Sequence, residues 1–155
     1  EGGEDPAFIA RRLIISASED IGLANPNAML LANAAFDAVQ KINWPEGRIP
    51  LAEAIIYVCE AEKSNSVVEA MYAAIADAKE VRDDNIPPYL KDNSYGSSED
   101  KANKAKYKYP HNYENGYVEQ QYLPDALKDK IYYTPNDRGY EKEVKEIRKR
   151  KGKKN

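Results

Sequence analysis

One cysteine and one histidine are the only soft or mid-range groups in this chain, and they fall in opposite halves. Cys59 lies inside an apolar helical pattern, and His111 lies between Pro110 and Asn112 among tyrosines. A structural zinc site takes about four such ligands, so this pair cannot build one. Hydrolytic chemistry fares no better: His111 is the one candidate base, and no G-x-S-x-G turn presents a serine to it. A histidine hydrogen-bonded in a packed loop is the favoured reading, and Cys59 reads as a small core hydrophobe. Phosphate-cradling loops would be decisive, but neither G-x-x-x-x-G-K-S/T nor G-x-G-x-x-G occurs. Gly152-Lys153-Lys154 belongs to a basic tail rather than to a strand-to-helix turn. The paired carboxylates Glu19-Asp20 and Asp83-Asp84 read as solvated helix ends. The residues therefore predict a chain with no catalytic, cofactor-binding or metal-binding group of its own.

The cations are more suggestive. Arg11 and Arg12 sit on an otherwise apolar helix, where a guanidinium needs carboxylate or carbonyl partners. Asp20, Glu19 or a neighbouring subunit would supply them, and an interface ion pair is favoured over a phosphate contact. Lys104, Lys106 and Lys108 interleave with Tyr107 and Tyr109, a pattern that can stack on unpaired bases. Arg148, Lys149 and Arg150 begin a basic end able to neutralise phosphates. Against nucleic-acid binding stand a net charge of −3 and the lack of any helix-turn-helix or RNA-recognition signature.

The elements that must position these groups divide by composition. Residues 1–90 hold 7 Lys+Arg against 15 Asp+Glu, while residues 91–155 hold 16 against 11 together with most of the 12 tyrosines. Asp5-Pro6 opens a first helix, with aspartate as cap and proline where its missing N–H costs nothing. It runs through Ala10, Leu13, Ile14, Ala17 and Ile21, and Gly22 stops it. Asn25-Pro26 repeats the start signal for a run from Ala28 to Ile42. That run is so rich in Ala, Leu and Met that it belongs in a bundle centre or at a subunit contact. Asn43 to Gly47 is a turn, and Pro50 begins a third helix through Ala54, Ile55, Val58 and Cys59 to about Glu62. Ser64 or Asn65 caps a fourth, carrying Val67, Val68, Met71, Tyr72, Ile75 and Ala78, with Glu69, Asp77, Glu80 and Arg82 on its solvated side.

Two adjacent prolines, Pro87-Pro88, end the helical regime. Residues 91–106 carry no usable period beyond one or two helical turns near Glu99 to Lys106. Residues 106–124 are too aromatic for a disordered linker, and are expected to be an extended segment whose tyrosine rings cover a helical core. Asn115-Gly116 makes a tight turn, Pro124 to Leu127 a short helix, and Gly139 to Arg150 a last helix capped by Asp137. The expected organisation is all-α: a compact helical array over 1–90, a Tyr-rich wrapping segment with short helices over 91–147 in the same domain, and a frayed basic tail over 148–155. The single cysteine points to a reducing compartment. No apolar run reaches the ~20 residues that span a bilayer, so no membrane partner is expected. The start EGGEDPAF lacks the basic and apolar regions of a signal peptide, and lacks Met, as expected of a piece of a longer protein.

Four ordered stretches carry a family resemblance. EGGEDPAFIARRLIISASEDIGLANPNA at the start is followed by PEGRIPLAEAIIYV (45–58) with KSNS (63–66). YKYPHNYENGYVEQQYLP (107–124) and YYTPNDRGYE (132–141) complete the series. Together they resemble the C-terminal region of RarA/MgsA-type AAA+ ATPases, the replication-associated recombination proteins whose eukaryotic relatives interact with the Werner helicase. The match covers essentially the whole chain and is weakest over 91–104. The resemblance implies a helical domain like the clamp-loader collar, through which subunits assemble, typically as tetramers. It implies that ATP and magnesium belong to a preceding module of the parent, which would be a DNA-dependent ATPase. It also implies a bacterial cytoplasmic, nucleoid-associated setting at stalled forks, near single-stranded DNA and its binding protein. No catalytic residue carries over, because the family's ATP-handling motifs have no counterpart here.

Overall fold

Helix α1 (Pro6–Ser16) begins where the sequence supplies its cap: the Asp5 carboxylate accepts hydrogen bonds from the N–H groups of Ala7 and Phe8, each at 3.1 Å. Such a cap stabilises a helix by about 1 kcal/mol. The computed structural model describes residues 2–81, 86–91, 98, 102 and 106–152, and among these the chain is all-α, without strands. A π-helical turn, Ala17–Ile21, extends α1 to Gly22, where the chain reverses with φ +48°. Helix α2 (Asn27–Ile42) follows, then α3 (Arg48–Glu60), α4 (Ser66–Glu80) and α5 (Tyr140–Arg150), with short 3-10 turns between α4 and α5. Asn25 starts α2 as expected, its side-chain oxygen accepting from the Asn27 N–H at 3.3 Å.

The residues group into two compact units. One is Glu1–Met71 with Tyr133–Lys145; the other is Tyr72–Tyr132 with Glu146–Asn155. The division falls inside α4 and before Tyr133, not at the composition break near residue 90.

In the first unit α1, α2 and α3 pack on one another. Helix α2 turns Ala28, Ala32, Ala35 and Val39 inward, so its buried face is made largely of alanine. Small side chains let helix axes approach closely. One core cluster joins Ala17, Ile21, Ala28, Ala32 and Val58, a second joins Ala10, Val39 and Leu51, and Leu13 packs against both. Phe36 packs beside this face, but other large apolar residues of α2 stay outside: Leu30 is 59% exposed, and Met29 and Ile42 are also exposed. Helix α2 is central in the sense that it packs on both α1 and α3, yet these neighbours leave part of its apolar circumference uncovered. Cys59 is corrected as well. It is exposed, because Leu51, Ala54 and Val58 take the inward positions of α3 and a one-residue step turns Cys59 about 100° away.

In the second unit, residues 106–124 run extended between 3-10 turns at Pro110–Asn112 and Glu114–Gly116. The Asn115-Gly116 turn is present, with φ of 59° and 60° and the Gly116 N–H donating to the Tyr113 carbonyl at 3.1 Å. The expected burial of tyrosine rings is not found at Tyr107, Tyr109, Tyr113 and Tyr122, which are exposed. Polar bonds hold this segment instead. The Lys108 N–H donates to Gln120 Oε1 at 2.8 Å, Lys108 Nζ to the Glu119 carbonyl, and the Tyr89 hydroxyl to the Gln121 carbonyl at 2.7 Å. At the C-terminal end, Arg148, Lys149 and Arg150 complete α5 rather than beginning a frayed tail. Cations in a last helical turn meet the negative end of the helix dipole, which explains the later boundary.

Candidate functional site

Helix α3 presents two unlike faces. Leu51, Ala54 and Val58 are buried, while on the opposite side Ile49 is 71% exposed and Ile56 62% exposed. With Ala52 between them, these isoleucines line an open groove of about 840 Å³ that Asn25 and Tyr57 also border. The Asn25 amide donates to the Tyr57 hydroxyl at 3.0 Å, tying the start of α2 to this helix. Glu53 and Glu60 lie along the groove, and Arg48 stands at its N-terminal end with its guanidinium 5.3 Å from the centre of the Trp44 ring. Two isoleucine side chains left in water forgo about 1.5–3 kcal/mol each relative to burial. The groove's polar groups are carboxylates, one guanidinium, an amide and a phenol. Apolar association is what such a surface can do.

A second constellation lies inside the same unit. Glu141, in the first turn of α5, is fully buried. Its carboxylate accepts from Ser64 Oγ at 2.7 Å, Ser66 Oγ at 2.5 Å and the Tyr133 hydroxyl at 2.9 Å. Ser64 Oγ in turn accepts from the Asn136 amide at 2.6 Å. Burial pushes the Glu141 carboxyl upward, but donation from Ser66, Ser64, Tyr133 and the Asn136 backbone outweighs it and holds the group below the usual glutamate value. The surrounding backbone is drawn close. The Ser64 N–H donates to the Asp20 carbonyl at 2.7 Å. A Cβ on Gly22 would stand 2.9 Å from the Ser64 carbonyl oxygen, and one on Gly139 (φ +50°) would stand 1.9 Å from that of Ala24. Three stretches distant in sequence thus converge on one ionised carboxylate that only neutral donors satisfy. The arrangement fastens backbone; it leaves the carboxylate no access to a substrate.

Among residues singled out from sequence, Arg11 and Arg12 are exposed and are not joined to Asp20. Arg11 instead pairs with Asp5 at 3.6 Å, both more than half exposed, an interaction worth ~0–1 kcal/mol. Asp20 contributes its backbone carbonyl, not its side chain. Lys106, Tyr107, Lys108 and Tyr109 are exposed and adjacent, and the Tyr109 ring lies 5.0 Å from that of His111. Lys104 lies outside the described residues. Arg148 and Arg150 stand on α5 with Lys149, whose Nζ is 2.6 Å from Glu146. Arg150 shares a small cleft with Asn115, Ile147 and Lys151. Among the described residues no group of His, Cys, Asp and Glu is placed to hold a metal ion, and no helix is long and apolar enough to cross a membrane. Sequence reasoning missed Glu141. Two of its donors, Ser64 and Ser66, lie more than seventy residues away in the chain, so the spacing of its nearer donors does not announce it.

The model of the MgsA AAA+ ATPase C-terminal family matches residues 1–151. The chain belongs to that family. It is 45% identical over 144 residues to replication-associated recombination protein A of Bacillus subtilis, an alignment covering 92% of this chain and 34% of that protein. It is 46% identical over 142 residues to an uncharacterised AAA domain-containing protein of Mycobacterium tuberculosis, covering 92% and 31%. The ATPase WRNIP1 of Dictyostelium discoideum is 33% identical over 135 residues, covering 86% and 15%. The chain thus spans about a third of the length of these bacterial relatives, and what it shares with them is the C-terminal portion of an AAA+ ATPase. Most of the stretches that carry the family resemblance contribute to these constellations: 45–58 holds the groove residues from Arg48 to Tyr57, while 1–28, 63–66 and 132–141 converge on Glu141.

Proposed function

We propose that this chain is a non-catalytic oligomerisation and scaffold domain of an AAA+ ATPase that acts in replication, recombination and repair at stalled forks. The observation that carries this reading is the outward face of α3, where Ile49 and Ile56 stand in water although the helix already has a buried face. The exposed Leu30 and Met29 of α2 point the same way. Contiguous apolar surface on a small domain marks an association site. In this reading the parent's separate module handles ATP and magnesium, and the domain gathers those modules into a tetramer. The assembly then works in the bacterial cytoplasm, beside single-stranded DNA and its binding protein. Sedimentation of the chain at high micromolar concentration tests the central point. A discrete oligomer is expected, and a clean monomer would overturn it.

A second reading, direct contact with single-stranded DNA, is favoured by one observation: the Tyr107 and Tyr109 rings are exposed beside Lys106 and Lys108. Aromatic rings flanked by cations stack on bases. Replacing both tyrosines by alanine is then expected to abolish salt-sensitive binding of an oligonucleotide, and a wild-type chain that binds none at low salt removes this reading.

A further inference from the structure

We infer that the α3 groove receives the α3 helix of a second copy of this chain, running antiparallel about a two-fold axis, with Arg48 of each copy reaching Glu60 of the other. This rests on the self-association reading and specifies its contact. Ile49, Ala52, Glu53, Ile56 and Glu60 fall within roughly 100° of the helix circumference at 3.6 residues per turn. They lie opposite the buried Leu51, Ala54 and Val58. Such a narrow apolar stripe is the seam that one helix offers another. Its centre is the small Ala52, which allows close approach, and its ends are the two exposed isoleucines.

Charge decides the direction. The cation of the groove, Arg48, is at the N-terminal end of α3, the acid Glu60 is at its C-terminal end, and a second acid, Glu53, lies near the middle. A parallel pair would set Arg48 against Arg48 and each glutamate against its own copy. An antiparallel pair turns Arg48 of each copy toward Glu60 of the other, leaves one like pair at Glu53 beside the axis, and opposes the two helix dipoles favourably. With the axis passing between Ala52 and Glu53, Ile49 meets Ile56 of the second copy, and Arg48 lies within one turn of Glu60 of the second copy. The surface is then self-complementary, as an isologous contact requires. A helix from an unrelated protein has no reason to match both the spacing and the reversed charge order.

Charge reversal separates the possibilities. Arg48→Glu places an acid at a helix N-terminus and Glu60→Arg a base at a helix C-terminus, so each improves the helix's own electrostatics and neither melts it. Native mass spectrometry of the wild-type chain is expected to show an oligomer. Either single reversal halves that mass, and the double variant restores it. Independently, Ile49→Cys with Ile56→Cys in a Cys59→Ser background is expected to yield a covalent dimer on oxidation. Residues about two turns apart on one helix are too distant to bridge within a chain. If the wild type assembles but the single reversals keep its mass and the cysteines do not cross-link, this contact is wrong while self-association stands. If the wild type is monomeric, both fall.

Discussion

Among the described residues, two carboxylates are held by tyrosine hydroxyls, and their settings differ instructively. Glu141 in the first unit is completely buried and surrounded by neutral donors: two serines, one tyrosine and a backbone N–H. Asp77 in the second unit keeps a side chain 19% exposed and takes a cation, Lys130, at 3.1 Å beside the Tyr132 hydroxyl at 3.0 Å. Both are held below their ordinary values, for different reasons. At Glu141 burial is the largest influence and acts upward, and several hydrogen bonds together reverse it. At Asp77 the hydrogen bond from Lys130 leads, ahead of burial, which opposes it. The Tyr132 phenol is raised correspondingly, by burial first and then by donation to Asp77. A carboxylate sealed from water needs several aligned dipoles and makes a rigid joint; one at the surface needs a counter-ion and makes a clasp that solvent can replace.

Several measurements would break or sharpen that contrast. The largest effect is expected at Gly139, where a side chain would collide with the Ala24 carbonyl. Gly139→Val should cost about 4 kcal/mol or more in urea unfolding. Gly116→Ala in the second unit has a similar φ of +60° but open space, and should cost only about 1–2 kcal/mol. Equal losses would show that the close packing around Glu141 is not what demands glycine.

Glu141→Ala comes next. It removes the acceptor of two buried serine hydroxyls, at about 1–3 kcal/mol for each one left unsatisfied. Glu141→Gln should cost less, since hydroxyls can turn toward an amide oxygen. The pH dependence has a definite sign. Because the folded value lies below the ordinary 4.5, the stability from Glu141 is fully present above that pH and is lost as pH falls through the folded value. Glu141→Gln should therefore flatten the acid limb of the stability curve, and an unchanged limb would mean the carboxylate is not the group responsible.

The smallest change is expected at the clasp. Asp77→Asn should lower the thermal midpoint less than Glu141→Gln, and added salt should shrink its effect further. Its acid sensitivity should begin below the ordinary aspartate value of 3.8. A loss larger than that at Glu141 would invert the comparison.

Much of the helical frame was legible from local chemistry. Asp5-Pro6, Gly22, Asn25-Pro26 and the 43–47 turn all mark boundaries that the structure keeps, because caps and breakers act within a few residues of themselves. The Asn115-Gly116 turn and the short helix Asp125–Leu127 follow for the same reason. Less legible was which side of a helix faces inward. Cys59 and, on α2, Met29 and Leu30 looked like core and are exposed, since periodicity reports a face but not whether a neighbour arrives to cover it. The α3 groove stands between these cases. Its isoleucines, Ile49 and Ile56, carry no signal in the sequence, and only the packing of Leu51, Ala54 and Val58 shows which side of the helix is left open.

By itself the sequence determined that this chain is helical, where most of its helices start and stop, and, through its ordered stretches, which AAA+ ATPase family it belongs to. Capping, proline and glycine punctuation and apolar periodicity are all short-range, so one chain read in order suffices for them. Only the tertiary structure decided that Glu141 is a buried joint, that Arg11 pairs with Asp5 rather than Asp20, and that the Tyr107 and Tyr109 rings are exposed. Each of those outcomes depends on which distant or competing groups reach a site first. Spacing along the chain carries no record of that.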